Sequence, residues 1–301
     1  MRSFVVIATK GRPHVVRQAL DFLQRQTRRP EFTVVVGTAE SDIAEVRGHS
    51  LLQAGIGSVH ISPRIGLTAQ KNCALEILAG QGLLDTGKGR YFCAFFDDDF
   101  MVAPDWLEVT ARRLEKDDIV GLTGRVLADG ARTDRGLTAQ QAEAFINAAN
   151  TPDESEFEAG CLYGCNMAFI DKVVIQTRFD ENLALQGWLD DAEYSHKAKQ
   201  LGKIIYFPGA KGVHLAVQSL GGARGVKFGY SQVANPIYLS RKGVMTTLNA
   251  IRLVALGLTS NTVRSLSTQA KIDYPGRLLG NLYALADLIT FRSDPMRIVR
   301  V

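Results

Sequence analysis

Four short β-rich runs punctuate roughly the first hundred residues: "SFVVIA" (3–8), "FTVVVG" (32–37), "SVHIS" (58–62) and "RYFCAFFD" (90–97). Their largely unbroken apolar character is that of strands covered on both faces rather than one. Helical patterns separate them: "PHVVRQALDFLQRQ" (13–26), with Pro13 in its first turn, and "AQKNCALEILAG", which Thr68 can cap and Gly80 or Gly82 can end. Buried strands alternating with helices dictate an α/β fold with a mostly parallel central sheet covered by helices on both faces. Ligands of such sheets bind beyond the carboxyl ends of the strands. The fourth run ends there on three consecutive aspartates, Asp97, Asp98 and Asp99.

Beyond Pro104 the pattern gives a helix at about 105–116, a strand at 119–128 and a helix in "TAQQAEAFINAAN". "FEAGCLYGCNMAFI" (157–170) reads as a strand or hairpin interrupted by Gly160 and Gly164. A helix over 189–202 precedes the strand "KIIYF", which Pro208 ends, and from about 228 onward only helices are expected. The 301 residues suffice for one large domain or two fused halves. With no repeat and no low-complexity linker, the expectation is one compact domain with a helical C-terminal extension. The start runs straight into "FVVIAT", too short for a signal peptide, and no run is apolar enough to span a bilayer. Four cysteines without zinc-site spacing read as reduced thiols, so a cytoplasmic location is expected.

Charge is unevenly spread. No Asp or Glu occurs between Glu193 and Asp273, while basic residues recur from Lys197 to Lys271. Average usage would make roughly a tenth of that stretch acidic, so an anionic partner is implied. Nucleic acid is disfavoured, because no binding motif or basic-aromatic repeat accompanies the charge.

Three segments carry candidate chemistry. Asp97 and Asp99 are two apart and point the same way on extended chain, a spacing that suits Mg²⁺ or Mn²⁺; a solvated acidic turn is the other reading. In "GWLDDAEYSHKAKQLG", Asp190 and Glu193 can form a capping box, which leaves Asp191 without a structural role and able to accept a proton from a substrate hydroxyl. His214 follows a strand and a Gly-rich turn in "YFPGAKGVHL", as a packed residue or a ligand.

In this order the segments resemble the family 2 inverting glycosyltransferases of GT-A fold, over about residues 3–215. "VVIATKGRP" resembles the opening strand and base-binding loop, here with Thr9 and Arg12, and "LDFLQRQTRRP" the first helix. "IGLTAQKNCAL" resembles the segment that reaches the nucleotide, here with Lys71 and Asn72. "FFDDDFMVAPDWL" matches the metal-binding DxD motif, and "GCNMAFIDK" through "VHL" the acceptor strand, acidic base motif and terminal His.

The resemblance implies that Asp99 binds the metal and that His214 is a further ligand of the metal or of a phosphate. Asp97 and Asp98 would lie on the donor side, Asp191 would be the catalytic base, and Asn166 and Trp188 would line the sugar pocket. Residues 1–100 would form the nucleotide-binding half, 101–215 the acceptor half, and 216–301 the helical extension packed on them. The reaction implied is metal-dependent, inverting transfer from a nucleoside-diphosphate-sugar to a saccharide or lipid-linked saccharide, as in bacterial surface polysaccharide synthesis. Where many members carry a base-reading acid after the second strand, this chain has Gly37 and Thr38, with Glu40 or Asp42 as substitutes. A UDP-sugar is the default donor, with guanosine and thymidine diphosphate-sugars open. The competing class is a GT-A-fold binding module without turnover. Nucleotidyl transfer ranks third, since "ATKGRPH" has a single Gly.

Lys211 and His214 are expected to face the diphosphate. The later basic amphipathic segment, with Arg241, Lys242, Arg252 and Arg264, has two readings. One is peripheral binding to the anionic inner face of the plasma membrane. The other is a homodimer interface or a helix packed on the catalytic domain.

Overall fold

The computed structural model describes residues 1–116, 118–133, 136–149, 153, 155–217, 224–266 and 272–299. Its strands are β1 (Arg2–Ala8), β2 (Phe32–Gly37), β3 (Gly57–Ile61), β4 (Tyr91–Asp97), β5 (Phe100–Val102), β6 (Ile119–Asp129), β7 (Phe157–Glu158), β8 (Asn166–Ile170) and β9 (Lys203–His214). The helices are α1 (Pro13–Gln24), α2 (Glu40–Ile43), α3 (Leu67–Gly80), α4 (Trp106–Leu114), α5 (Ala139–Ala148), α6 (Asp171–Gln176), α7 (Asp190–Lys199), α8 (Arg224–Arg241), α9 (Thr247–Ser265) and α10 (Tyr274–Ile289).

By internal packing the chain divides into two units. The first comprises Met1–Ile65, Ala69–Phe179 and Tyr194–Ser219; the second comprises Gly66–Thr68, Asp180–Glu193 and Leu220–Val301. One sheet of order β3-β2-β1-β4-β8-β6-β9-β5 forms the first unit, with β7 also paired to β9. Parallel ladders join β3, β2, β1 and β4 and again β6 and β9, and they carry most of the paired residues. Both pleat directions of β1, β2 and β4 are buried along nearly their whole length, so both faces of this half are covered, as the continuous apolar runs require.

Several local expectations change. Thr68 lies inside α3, and its hydroxyl donates to the carbonyl of Leu183 at 3.3 Å instead of capping the helix. Residues 157–170 form no hairpin: β7 pairs with β9, and β8 with β4 and β6. Pro208 does not end its strand. β9 runs on to His214, and its register against β6 breaks between Phe207 and Lys211, so Pro208 sits in a bulge where no ladder N–H is needed.

In the second unit α8 packs on α9 and α10 around Tyr230, Val233, Ala234 and Ala284. The α8 and α10 backbones all but touch: a Cβ on Gly280 would lie 1.9 Å from the Val226 carbonyl oxygen, and one on Gly229 1.9 Å from that of Arg277. Asn281 lies buried among the three helices, accepting from Asn261 at 2.7 Å and donating to the Gly229 carbonyl at 2.7 Å. No helix among the described residues is long and apolar enough to cross a membrane.

Candidate active site

The acidic triplet in the first unit straddles the end of β4. Asp97 closes the strand and Asp98 and Asp99 make the turn into β5. Asp97 and Asp99 are therefore related by a turn rather than by the pleat, yet their oxygens converge. β5 pairs Phe100 with His214, and β6 pairs Asp129 with the same His214, so β9 delivers the imidazole beside the turn. One ligand atom each from Asp97, Asp99 and His214 lie within 4.8 Å of one another. Two carboxylates and an imidazole are a donor set that fits Mg²⁺ or Mn²⁺.

Three neighbouring carboxylates are costly to bury, and here one guanidinium offsets much of that cost. Arg12 pairs with Asp98 through two nitrogens and donates to Asp99 at 2.7 Å and to the Val217 carbonyl at 2.6 Å. Thr9 Oγ1 donates to Asp98 at 2.6 Å. Burial is the largest influence on Asp98 and pushes its carboxyl up, with Arg12 opposing it. Asp99 stays below the usual carboxylate range: burial would raise it, but His214, Arg12 and the Val217 N–H outweigh burial.

His214 Nε2 stands 3.5 Å from Asp99, and Nδ1 meets Asp129 at 2.9 Å. Burial alone would lower the imidazole; Asp99, Asp97 and Asp129 together push it up to about 9. Asp129 is fixed in turn by the Ala131 N–H at 3.0 Å and the Tyr163 hydroxyl at 3.0 Å. A carboxylate behind a ligating histidine sets the ring's tautomer and orientation. Neither Asp129 nor Tyr163 is marked by any motif, because it is the β6–β9 register that brings them to His214. Only the placement of Asp129 at a strand's carboxyl end hinted at it.

The structure brings Thr9, Arg12, Asp97, Asp98, Asp99 and His214 together. Asn166 pairs with Phe96, the residue before Asp97, and the other candidates have partners of their own. Asn72 accepts from the Phe179 N–H at 2.9 Å and donates to the Phe179 carbonyl at 3.0 Å, while Lys71 Nζ lies 4.9 Å from the centre of the Phe179 ring. Asn166 is buried, and its side-chain oxygen accepts from the Gly124 N–H at 2.6 Å.

Glu40 pairs with Arg47 at the surface. The carboxylate that faces the β1–α1 loop is Asp42, which accepts from the backbone N–H groups of Gly11 at 2.7 Å and Thr38 at 2.8 Å. Lys211 donates to the Ala149 carbonyl at 2.9 Å and lines a cavity of about 600 Å³ with Arg112, Asp153 and Glu156. None of Asp97, Asp99 or His214 lines that cavity, and the converging donors define a site better than its volume does.

Trp188 and Asp191 belong to the second unit. Leu189 has φ +72°, and α7 begins at Asp190. The expected capping box therefore does not form. Glu193 is instead fully buried and accepts from Lys242 Nζ at 2.7 Å. Asp191 sits in the first turn, half-buried, with one oxygen on the Ala192 N–H at 2.8 Å. The Trp188 ring meets Phe228 edge-on at 6.1 Å, and its carbonyl accepts from Asn235 at 2.8 Å.

A strand order of 3-2-1-4 continued by mixed strands, with an Asp–Asp–His cluster at the end of the fourth, defines a GT-A fold with a metal-capable site. The chain belongs to glycosyl transferase family 2, whose model matches residues 4–177. Solved structures support the fold. Residues 1–349 of S. aureus TarS in complex with UDP-GlcNAc are 14% identical, with a TM-score of 0.57 over 99% of this chain and 83% of that one. The Pyrobaculum calidifontis mannosyltransferase PcManGT, in complex with GDP-Man and Mn²⁺, is 15% identical, with a TM-score of 0.55 over 99% and 85%. GalNAc-T7, with UDP, GalNAc and Mn²⁺, is 16% identical, with a TM-score of 0.54 over 81% of this chain and 51% of that one. The match thus spans about half of GalNAc-T7 and 44% of a longer TarS chain. No curated protein matches the sequence significantly.

Proposed function

We propose that this chain is a metal-dependent inverting glycosyltransferase of the hexosyltransferase type. It would move a sugar from a nucleoside-diphosphate-sugar to a hydroxyl of a saccharide, free or lipid-linked, in surface polysaccharide synthesis at the inner face of the membrane. The observation that carries this reading is the convergence of Asp97, Asp99 and His214 at the carboxyl end of β4 in a family 2 chain. These three residues would hold Mg²⁺ or Mn²⁺. The ion when bound would offset the negative charge that gathers on the departing nucleoside diphosphate.

Arg12 and Thr9 keep Asp98 and Asp99 placed, so that the turn does not spring apart under its own charge. Asp191, in the first turn of α7, would take the proton of the acceptor hydroxyl as its oxygen attacks the anomeric carbon from the face opposite the leaving group. Trp188 would offer a ring face to the sugar. Asp42, held beside the β1–α1 loop, replaces Glu40 as the candidate that reads the base. A UDP-sugar stays the first donor to try. In this reading residues 1–215 carry the chemistry, donor side in 1–100 and acceptor side in 101–215.

The test is Mn²⁺-dependent hydrolysis and transfer across a panel of nucleotide-sugars. The wild type is expected to turn over one donor. Asp191→Asn should bind that donor with unchanged affinity and lose transfer to acceptor by about 10²-fold or more. Transfer by Asp191→Asn at the wild-type rate would remove the base assignment, and metal-independent turnover would remove the metal.

A further inference from the structure

Two helices of the second unit, α9 and α10, carry none of the candidate site residues and expose apolar side chains to solvent. On α10, Leu279, Leu282, Tyr283 and Ile289 are all exposed, at spacings that put them on one helix face. No charge interrupts that face. The two charged residues of α10 turn elsewhere: Arg277 stacks on Phe228 at 4.4 Å, and Asp287 accepts from the Tyr230 hydroxyl at 2.8 Å and from Arg297 at 2.7 Å. Phe291 follows, 94% exposed.

α9 buries only Ala250 and Asn261 fully, and exposes Leu248, Ile251, Leu256 and Val263. Arg252 lies on the row between Leu248 and Leu256, four residues from each. Each of the two helices thus presents a face of exposed apolar side chains, and large exposed apolar patches mark interaction sites.

The charge of this unit selects the occupant. α9 contains no acid, and Arg241, Arg252 and Arg292 are exposed without an ion pair among the described residues. A second copy would bring two basic surfaces together, which like charges oppose. Anionic headgroups would instead complement the arginines while the apolar stripes enter the interface, with the Arg252 stem lying along its leucine neighbours. We infer that α9 and α10 form a docking surface for an anionic lipid bilayer. The inference rests on the proposed transfer only for its purpose, delivery of the enzyme to a lipid-borne acceptor.

The full chain is sedimented with phosphatidylcholine vesicles, alone or with about one-third phosphatidylglycerol, at low and high salt. Binding is expected only with phosphatidylglycerol, falling about tenfold or more at high salt. Leu282→Glu with Ile289→Glu should abolish it, and Arg252→Gln should weaken it about fivefold, with melting temperature and donor hydrolysis unchanged in both variants. Three results would overturn the inference: no binding to phosphatidylglycerol vesicles, equal binding to both compositions, or a dimer in sedimentation velocity that the double variant splits without any vesicle binding. Hydrolysis is read separately, so its failure counts against the proposed transfer and failure to dock counts against this surface alone.

Discussion

Two buried acidic clusters, one in each unit, are built to the same rule and differ in one respect. In the second unit Lys242 Nζ bridges Asp180 and Glu193 at 2.5 and 2.7 Å, and Tyr238 donates to Asp180 at 2.7 Å. In the first, Arg12 bridges Asp98 and Asp99, and Thr9 donates to Asp98 at 2.6 Å. One cation spans two carboxylates in both cases, and a hydroxyl completes the set. The first cluster adds a third carboxylate, Asp97, and an imidazole, with their ligand atoms converging. One cation across two acids explains a buried cluster as structure; an extra acid and a histidine aimed at the same point call for a metal.

The comparison breaks most sharply at the converging donors of the first cluster. Asp99→Ala should lower kcat by about 10²–10³ while leaving the fold intact, because Asp98 keeps Arg12 paired; steady-state kinetics with Mn²⁺ check it. Lys242→Met should do the reverse, sparing metal binding and destabilising the protein by about 3 kcal/mol in urea unfolding. That is the low end for a broken buried pair, since Lys242 is itself 34% exposed.

Asp129→Asn sharpens the contrast within the first unit. It leaves every ligand in place but loosens His214, so Mn²⁺ affinity by calorimetry should fall about 10- to 100-fold. If affinity is unchanged, His214 is not held for a metal.

The smallest effect is that of acid on the second cluster. Burial would raise Asp180, but the hydrogen bonds from Lys242 and Tyr238 outweigh it and hold the carboxyl below its ordinary range. A depressed carboxylate stabilises the fold above its unfolded pKa of about 4, and that stability drains away as pH falls through the lower folded value. Melting curves taken downward from pH 6 should show this loss in the wild type and less of it in Lys242→Met.

The parallel half of the sheet was legible in the sequence because buried parallel strands must be apolar on both faces, and the runs ending at Ala8, Gly37 and Asp97 announce themselves. The triplet at the last of these ends was legible for the same reason, as charge after an apolar run. Less was legible where a residue's partner lies far along the chain. Asn72 carries the family's spacing, yet both ends of its amide bond to the backbone of Phe179. Asp190 and Glu193 satisfy a capping pattern, yet the left-handed Leu189 shifts the helix start, and Glu193 goes to Lys242 instead.

The sequence by itself determined the class of sheet, the identity of the acids at its edge and the basic, acid-free composition of the later chain, since each is a matter of local pattern. Tertiary structure alone decided that Arg12 bridges two of those acids, that Asp129 stands behind His214, and that Asp42 rather than Glu40 faces the β1–α1 loop. Hydrogen bonds and ion pairs act over a few ångströms in space, and only folding sets which distant residues come within that reach.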